Sequence, residues 1–320
     1  MTFWKNALAV VALAAAGAAS AAWPEKPITL LIPFPAGGLA DAVSRALAEE
    51  VGRSLGQPLI LENRPGANGR IGLEQLARSP KDGYTLAVTV PGLMIFQPLT
   101  EKTYKFDPLK DFEPITIAVD TYNVLVTHPR VSATGDLREL VAKAKAQPGK
   151  MNYGTPGSGS SFHFNSVVLT DKLGIKATHV SYRGEAPALI DLAGGSIEFM
   201  LAGQSARPYI QDGKIKPIAV TSRKRVAILP DVPTFAELGV DFRTDGWVGY
   251  VAPAGVPKEV LDRLSEAFRA AIKLPKVREQ IATMGYEPVG NSREEFRSLI
   301  KERLDHYRGL IRSGAVKLEE

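Results

Sequence analysis

Short apolar runs alternate with helical patterns from residue 28 to the C-terminus, and this alternation constrains the fold more than any other feature. Strand-length runs lie at 28–34, 59–61 and 84–90, and apolar residues recur at helical spacing at 41–55 and 71–77. Asp41 is predicted to be the N-cap of the first helix, because it precedes the first helically spaced apolar residue. The pattern predicts an α/β protein with a largely parallel sheet.

The same rhythm continues through the rest of the chain. Further strands are predicted at 115–119, 124–127, 151–153, 179–182, 198–201, 217–221 and 247–251. Further helices are predicted at 136–146, 161–173, 187–193, 258–272, 277–284 and 293–311. These elements predict two α/β lobes with two crossings of the chain between them. No repeat of about 20–50 residues is present, which excludes solenoids and propellers.

Composition narrows the class of partner. Apolar residues make up 45% and charged residues 23% of the 320 residues, which excludes a disordered chain and a multispan membrane protein. The net charge is only +5, and basic and acidic residues are interspersed throughout. Nucleic-acid binders concentrate basic residues on one face, so no nucleic-acid partner is expected. The one basic run, Arg223 to Arg225, is interpreted as a solvated loop.

The first 22 residues resemble a cleavable secretion signal. Lys5 precedes an uncharged stretch with an apolar centre at 7–16 and small residues at 17–22. This stretch is too short and too weakly apolar for a membrane anchor, so cleavage is expected near Ala21 or Ala22. The chain has no cysteine, which excludes lipid attachment and disulfides. The expected product is a soluble protein of the periplasm.

Two glycine-rich loops each follow a predicted strand and precede a predicted helix. They are Pro33 to Asp41 and Gly154 to His163. Free N–H groups and the helix dipole make such a helix terminus an anion site, and glycine lets a ligand approach the backbone. Each loop is therefore a candidate anion-binding loop. An ordinary tight turn between strand and helix is the alternative interpretation.

Other familiar sites are missing from the sequence. Neither loop matches the phosphate-binding or dinucleotide-binding glycine motifs, and no serine lies in a G-x-S-x-G elbow. The four histidines lack metal-ligand spacing and there is no cysteine, so neither a metal nor another cofactor is expected. No nucleophile–base pair is evident, and therefore no catalytic residue and no enzymatic activity are predicted.

Distinctive short motifs are spread from Trp23 to the C-terminus. They are WPEKPI at 23–28, the loop at 33–41, ENRPGANG at 62–69, KDGYTL at 81–86, the stretch 104–114, PGKMNYG at 148–154, YRG at 182–184, LPDVPT at 229–234 and APAG at 252–255. In this combination the chain resembles the Bug (TctC-like) extracytoplasmic solute receptors of tripartite tricarboxylate transport systems.

The resemblance implies a type II periplasmic binding protein fold, in which two α/β lobes joined by a two-strand hinge close around a ligand in the cleft between them. The first lobe is expected at 23–121 and 230–320, and the second at 122–229. The implied partners are a small organic acid and the membrane permease subunits of a tripartite transporter. A monomer is expected.

Carried over motif by motif, the resemblance places ligand contacts in both lobes. The expected contacts are Phe34, Ala36, Gly37, Gly38, Asp41, Pro91 and Gly92 in the first lobe, and Thr155, Gly157, Ser158, Gly159, Ser160, Ser161 and Tyr182 in the second. His163 is a further candidate contact because it lies in the first turn of the predicted helix beside the serine loop, and a structural role in that loop is the alternative. The chain departs from the family after Leu201, where Ala202 to Ser205 replaces a polar stretch that often carries aspartate or asparagine. Gln204 is therefore a candidate replacement contact, and Arg207 is the alternative.

The predicted function is capture of a small organic carboxylate, either a dicarboxylate or an aromatic carboxylate, by lobe closure and its delivery to the transporter. Aromatic and methionine side chains near the loops favour an aromatic or a longer aliphatic carboxylate, unless they pack beneath the loops; they are Phe34, Met94, Phe96, Phe162 and Tyr182. Two alternatives stay open: a periplasmic hydrolytic enzyme on the same scaffold, and a ligand-binding protein that serves a sensor kinase.

Overall fold

The structure is a computed structural model that describes residues 23–244 and 246–314. The predicted signal peptide lies outside these residues. The strands are β1 (Ile28–Ile32), β2 (Leu59–Asn63), β3 (Thr85–Thr89), β4 (Phe112–Asp120), β5 (Val124–Thr127), β6 (Asn152–Thr155), β7 (Thr178–Ser181), β8 (Phe199–Ala202), β9 (Lys216–Val220), β10 (Trp247–Pro253) and β11 (Glu287–Pro288).

The helices lie between and after these strands. They are α1 (Leu39–Leu55), α2 (Arg70–Ala77), α3 (Gln97–Thr100), α4 (Leu137–Ala146), α5 (Ser161–Lys172), α6 (Glu185–Gly194), α7 (Arg207–Gln211), α8 (Lys258–Lys273), α9 (Pro275–Thr283) and α10 (Arg293–Arg312). Every predicted strand and helix has a counterpart here. The short elements α3, α7 and β11 were not predicted. No helix in the described part of the chain is both long and apolar enough to cross a bilayer.

The strands form two separate sheets, each covered by helices, and the two α/β lobes are built on them. The first sheet has the order β11-β4-β10-β3-β1-β2, with β1 parallel to β2 and β3, and with β10 antiparallel to β3 and β4. The second has the order β7-β6-β8-β5-β9, with β6 parallel to β7 and β8. The antiparallel strands β5 and β10 follow the two chain crossings, one in each sheet.

The two crossings run side by side. The N–H of Thr121 donates to the carbonyl of Gly246 over 2.8 Å, and the N–H of Thr221 donates to that of Asn123 over 2.9 Å. Backbone hydrogen bonds thus tie the outgoing connection to the returning one, as in a two-strand hinge.

The exact lobe boundaries stay a prediction. Phe235 and Phe242 pack into the core of the second sheet, and Thr234 forms a bridge with Val220 of β9. This packing favours a return crossing near residue 243, somewhat after the predicted boundary at 229.

Side-chain alternation along the strands explains the core of the first lobe. Leu30 faces α1 and α8, whereas its neighbour Leu31 faces the opposite core beside α10, because successive strand residues point to opposite faces. Both leucines are fully buried. The core beside α10 also contains Phe164 of α5, a helix that belongs to the second lobe. The glycine-rich loop that follows β1 is therefore held on a strand that is packed on both faces.

Candidate ligand-binding site

A cavity of about 690 Å³ lies between the lobes. The first lobe contributes residues from four loops and from α3, and the second contributes the loop before α5 and the first two residues of that helix. The lining residues are Pro33, Phe34, Pro35, Pro65, Gly66, Asn68, Gly69, Val90, Gly92, Phe96, Gln97, Thr100, Glu101, Pro156, Gly157, Ser158, Gly159, Ser160, Ser161 and Phe162. Both candidate loops therefore reach the same cavity.

The first-lobe loop is braced by its own carboxylate. Asp41 is 2% exposed and accepts hydrogen bonds from the N–H of Gly37 at 2.9 Å, from Arg45 Nε at 2.8 Å and from Asn63 Nδ2 at 3.1 Å. Hydrogen bonding to Arg45 is the main cause that lowers the pKa of Asp41 to about 2, against the opposing effect of burial. Asp41 therefore holds the loop against β2 and does not line the cavity.

The prediction that Asp41 is the N-cap was wrong. The cap is Gly38, and Asp41 is the third helical residue. Leu39 and Ala40 can continue the helix towards the loop because glycine at the cap is tolerated and the Asp41 side chain reaches back to Gly37. A carboxylate in the first turn also interacts favourably with the helix dipole.

The second-lobe loop is organised around the start of α5. Ser160 is the N-cap: its Oγ accepts from the N–H of His163 at 3.2 Å and donates to the carbonyl of Gly157 at 2.6 Å. Gly159 has a φ of 72°, a left-handed conformation that suits glycine, and its N–H donates to His163 Nδ1 at 3.1 Å. His163 therefore fixes the loop from beneath.

Two backbone donors of this loop stay available. Ser161 and Phe162 are the first two residues of α5, and their N–H groups have no intrahelical acceptor. No other described residue accepts from them. Both residues line the cavity. The positive end of the α5 dipole thus opens into the cavity.

The structure brings part of the predicted site to this cavity. Of the expected contacts, those that line it are Phe34, Gly92, Gly157, Ser158, Gly159, Ser160 and Ser161. Those that do not line it are Ala36, Gly37, Gly38, Asp41, Pro91, Thr155, His163, Tyr182 and Gln204. Contact of any of these residues with a ligand stays a prediction.

Several of the residues away from the cavity have structural partners. Thr155 Oγ1 lies 2.7 Å from His179 Nε2, and the ring of His179 stacks on that of His163 with 4.0 Å between centroids. Tyr182 donates its hydroxyl to Asp191 over 2.7 Å, and burial and this bond raise the pKa of Tyr182 to about 12. Gln204 Nε2 donates to the carbonyl of Met284 over 2.7 Å, which links the second lobe to the first.

Sequence reasoning missed one wall of the cavity. Gln97, Thr100 and Glu101 lie on or directly after the four-residue helix α3 and all face the cavity. Asn68 and Gly69 also line it, and they belong to the ENRPGANG motif quoted above. That motif was a usable signal for this wall, whereas α3 is too short to show helical periodicity.

The cavity is electrically unusual for an anion site. None of the described lining residues is a lysine, arginine or histidine, and the charged one is Glu101. Arg70 Nη1 donates to Glu101 Oε2 at 3.2 Å, outside the lining set. Recognition of an anion here would depend on backbone N–H groups and hydroxyls. No cluster of potential metal-ligating side chains occurs within the described residues.

Helix α5 also touches the first lobe directly. Phe164 is fully buried and its ring centroid lies 5.1 Å from that of Phe96 and 5.7 Å from that of Tyr307. Tyr307 donates its hydroxyl to Asn165 Oδ1 at 3.2 Å. The α5 terminus is thus positioned by both lobes, so a change of lobe angle would change the cavity.

Comparison with known proteins fixes the family. The family model described as tripartite tricarboxylate transporter family receptor, TctC, matches residues 43–315. The chain belongs to this family. The resemblance inferred from the motifs is thereby confirmed. The TctC family is a family of solute receptors and not of enzymes. Its members are periplasmic binding proteins.

Individual TctC relatives agree over nearly the whole chain. The UPF0065 protein in the tcbD-tcbE intergenic region of Pseudomonas sp. is 34% identical over 91% of this chain and 87% of its own length. Protein BugT of Bordetella pertussis is 31% identical over 93% of this chain and 92% of its own.

Solved structures confirm the periplasmic binding protein fold. A periplasmic transporter is 35% identical with a TM-score of 0.77, covering 93% of this chain and 100% of that one. R. palustris Rpa4515, solved with adipate, is 29% identical with a TM-score of 0.75 over 91% of this chain and 97% of its own. MatC from Rhodopseudomonas palustris, solved with malate, is 27% identical with a TM-score of 0.72 over 90% of this chain and 100% of its own.

Proposed function

We propose that this receptor captures a small organic carboxylate in the interlobe cavity, in the periplasm, and delivers it to a tripartite tricarboxylate transporter. The observation that carries the proposal is the α5 terminus, whose unused N–H groups of Ser161 and Phe162 open into the cavity beside the serine hydroxyls. A carboxylate is one of the anions that such a terminus favours.

The rest of the cavity suits an organic body attached to the carboxylate. Three phenylalanines, a valine and four prolines line it, namely Phe34, Phe96, Phe162, Val90, Pro33, Pro35, Pro65 and Pro156. Burial of apolar ligand surface against them contributes about 25 cal/mol per Å². An aromatic or a medium-length aliphatic carboxylate fits this lining. Adipate in one related structure is a six-carbon carboxylate of this size class, and malate in another is smaller.

The expected affinity is moderate. Charge-assisted hydrogen bonds contribute about 1.5–3 kcal/mol each, and the helix terminus adds up to about 2 kcal/mol when partly buried. Immobilising the ligand and closing the lobes offset much of this gain. A net free energy near 8 kcal/mol, or a Kd of about 1 μM, suits a receptor that has to release its ligand.

Closure follows from the position of the cavity. A ligand that touches both walls stabilises the conformation in which both sets of contacts form, so binding shifts the population towards the closed state. Membership of the TctC family supports delivery of the ligand to a transporter.

The proposal is tested by native mass spectrometry of the purified protein and a thermal-shift screen of aliphatic and aromatic mono-, di- and tricarboxylates. We expect a co-purified organic acid, or a raised Tm with at least one acid and no effect of sodium chloride at equal ionic strength. Isothermal titration calorimetry of the best acid should give a Kd in the micromolar range. Absence of any co-purified or stabilising acid would overturn the carboxylate proposal.

A further inference from the structure

The cavity has two chemically different walls. The second-lobe wall presents donors: the N–H groups of Ser161 and Phe162 at the positive end of α5. The opposite wall is formed by Gln97 and Thr100, which are spaced i, i+3 on one face of α3, and by Glu101, which directly follows the helix. The two walls come close together at Gly159 and Thr100. A Cβ atom added to Gly159 would lie 3.4 Å from Thr100 Cβ.

Gln97 is an unsatisfied acceptor in this first-lobe wall. The residue is only 7% exposed, and Nε2 donates to the carbonyl of Asn68 at 3.0 Å. That bond fixes the amide orientation and leaves Oε1, which is shielded from solvent and has no hydrogen-bond partner. Buried acceptors in native structures are almost always paired. Because Oε1 is shielded from solvent, it is also out of reach of a ligand, and the acceptors that face the cavity are those of Thr100 and Glu101.

The other two members of the wall are acceptors as well. Thr100 Oγ1 donates its proton to the carbonyl of Phe96 at 3.0 Å, so towards the cavity it can only accept. Glu101 is a carboxylate that accepts from Arg70 through Oε2, and no described residue donates to its Oε1. Arg70 is shared with a second carboxylate, Glu74, whose Oε1 lies 3.7 Å from Arg70 Nε. The Arg70 guanidinium is therefore shared between Glu101 and Glu74.

We infer that the ligand carries a hydrogen-bond donor at the end opposite its carboxylate, such as a hydroxyl, an amine or an amide N–H. The carboxylate binds at the α5 terminus, and the donor faces Thr100 and Glu101. A second carboxylate in that position would meet two acceptors, one of them charged, and is therefore disfavoured. This inference rests on the proposed function and narrows its ligand class from carboxylates in general to donor-bearing carboxylates.

The test uses ligands of equal length that differ at one end. Calorimetry on the wild-type protein compares hexanoate, 6-hydroxyhexanoate, 6-aminohexanoate and adipate, then the corresponding four-carbon acids, then benzoate, 4-hydroxybenzoate, 4-aminobenzoate and terephthalate. In the series that binds most tightly, we expect the hydroxy or amino acid to bind at least tenfold more tightly than the dicarboxylate and than the unsubstituted acid.

Two variants test whether the first-lobe wall accepts the hydrogen bond from the donor of the ligand. Glu101→Gln should reduce the preference for the amino acid over the dicarboxylate at least fivefold. Glu74→Gln is the matched control, because Glu74 contacts the same arginine but does not line the cavity, and it should leave the preference unchanged. Melting curves without ligand check that both variants fold.

The outcomes separate the two claims. A dicarboxylate that binds as tightly as its hydroxy and amino counterparts overturns the donor inference and leaves carboxylate capture intact. If no acid of any series binds, the proposed function fails and the donor inference fails with it. An equal loss of preference in the Glu74 and Glu101 variants would assign the effect to Arg70 and not to the wall.

Discussion

The two glycine-rich loops look alike in sequence and differ in the structure. Both connect the end of a strand to the start of a helix, and both contribute to the interlobe cavity. In the first-lobe loop the Asp41 carboxylate accepts a hydrogen bond from the N–H of Gly37. Of this loop, only Pro33, Phe34 and Pro35 line the cavity. In the second-lobe loop the N–H groups of Ser161 and Phe162 stay available at the cavity wall.

This difference shows what decides whether a glycine-rich turn can bind an anion. Glycine and a helix terminus supply donors, but these can serve a ligand only where the terminus lines the cavity, as Ser161 and Phe162 do and Leu39 and Ala40 do not. The first loop accordingly contributes apolar surface and the second contributes donors. The predictions below test this division of roles, from the largest expected effect to the smallest.

The largest effect is expected from a carboxylate placed at the α5 terminus. Ser161→Asp should weaken binding of the tightest acid from the thermal-shift screen about 100-fold, or about 2.8 kcal/mol, because the new charge repels the ligand carboxylate and competes for the same N–H groups. The helix itself should not suffer, since an acidic residue in the first turn is stabilising by about 0.3–1 kcal/mol. Calorimetry measures the affinity and a melting curve checks the fold.

The matched control lies in the other loop. Ala36 is exposed and does not line the cavity, so Ala36→Asp should change the affinity less than threefold. Equal losses in the two variants would show that both helix termini bind the anion, and the division of roles would be wrong.

A smaller effect concerns stability and pH in the first-lobe loop. Asp41→Asn removes hydrogen bonds to a charged group and should lower the free energy of unfolding at pH 7 by about 1–3 kcal/mol. The folded-state pKa of Asp41, about 2, lies below its ordinary value of 3.8, so its contribution is present above pH 4 and is lost as pH falls towards 2. Urea unfolding at pH 7, 4 and 3 measures it.

The expected signature is a difference between wild type and the Asp41→Asn variant that shrinks as the pH falls. Ligand affinity at pH 7 should change less than threefold, because Asp41 does not line the cavity. A constant difference across this pH range, or a large loss of affinity without loss of stability, would contradict the bracing role.

Much of the fold could be predicted from the sequence, because it depends on periodicity. The alternation of apolar runs and helical spacing located both sheets and the helices α1 and α5 to within a few residues. Helix α3 was not predicted, because a π-helical turn at Gly92–Phe96 precedes it and four residues are too few to show a helical period. The start of α1 was misplaced because the short-range geometry of Asp41 and Gly37 is not encoded in spacing.

The site was harder to predict for a different reason. A sequence shows which groups could donate or accept, but not which of them another residue already uses. His163 seemed able to contact a ligand, yet its Nδ1 accepts from Gly159 within the loop. Gln97 gave no signal at all, because only the fold shows that its Nε2 is used by the carbonyl of Asn68 and that its Oε1 has no partner. Such allocation of hydrogen bonds depends on tertiary contacts.

The smallest effect is expected from Tyr182→Phe, which tests an assigned contact in the second lobe. The Tyr182 hydroxyl donates to Asp191 within the same lobe, and its ring packs so closely that a Cβ on Gly154 would lie 3.3 Å from it. Removing the hydroxyl should therefore lower the free energy of unfolding by about 1 kcal/mol and change the affinity less than twofold. Calorimetry and urea unfolding on the same preparation separate the two quantities. A tenfold loss of affinity with unchanged stability would instead place the hydroxyl on the ligand, and the donors of the second lobe would then extend beyond the α5 terminus.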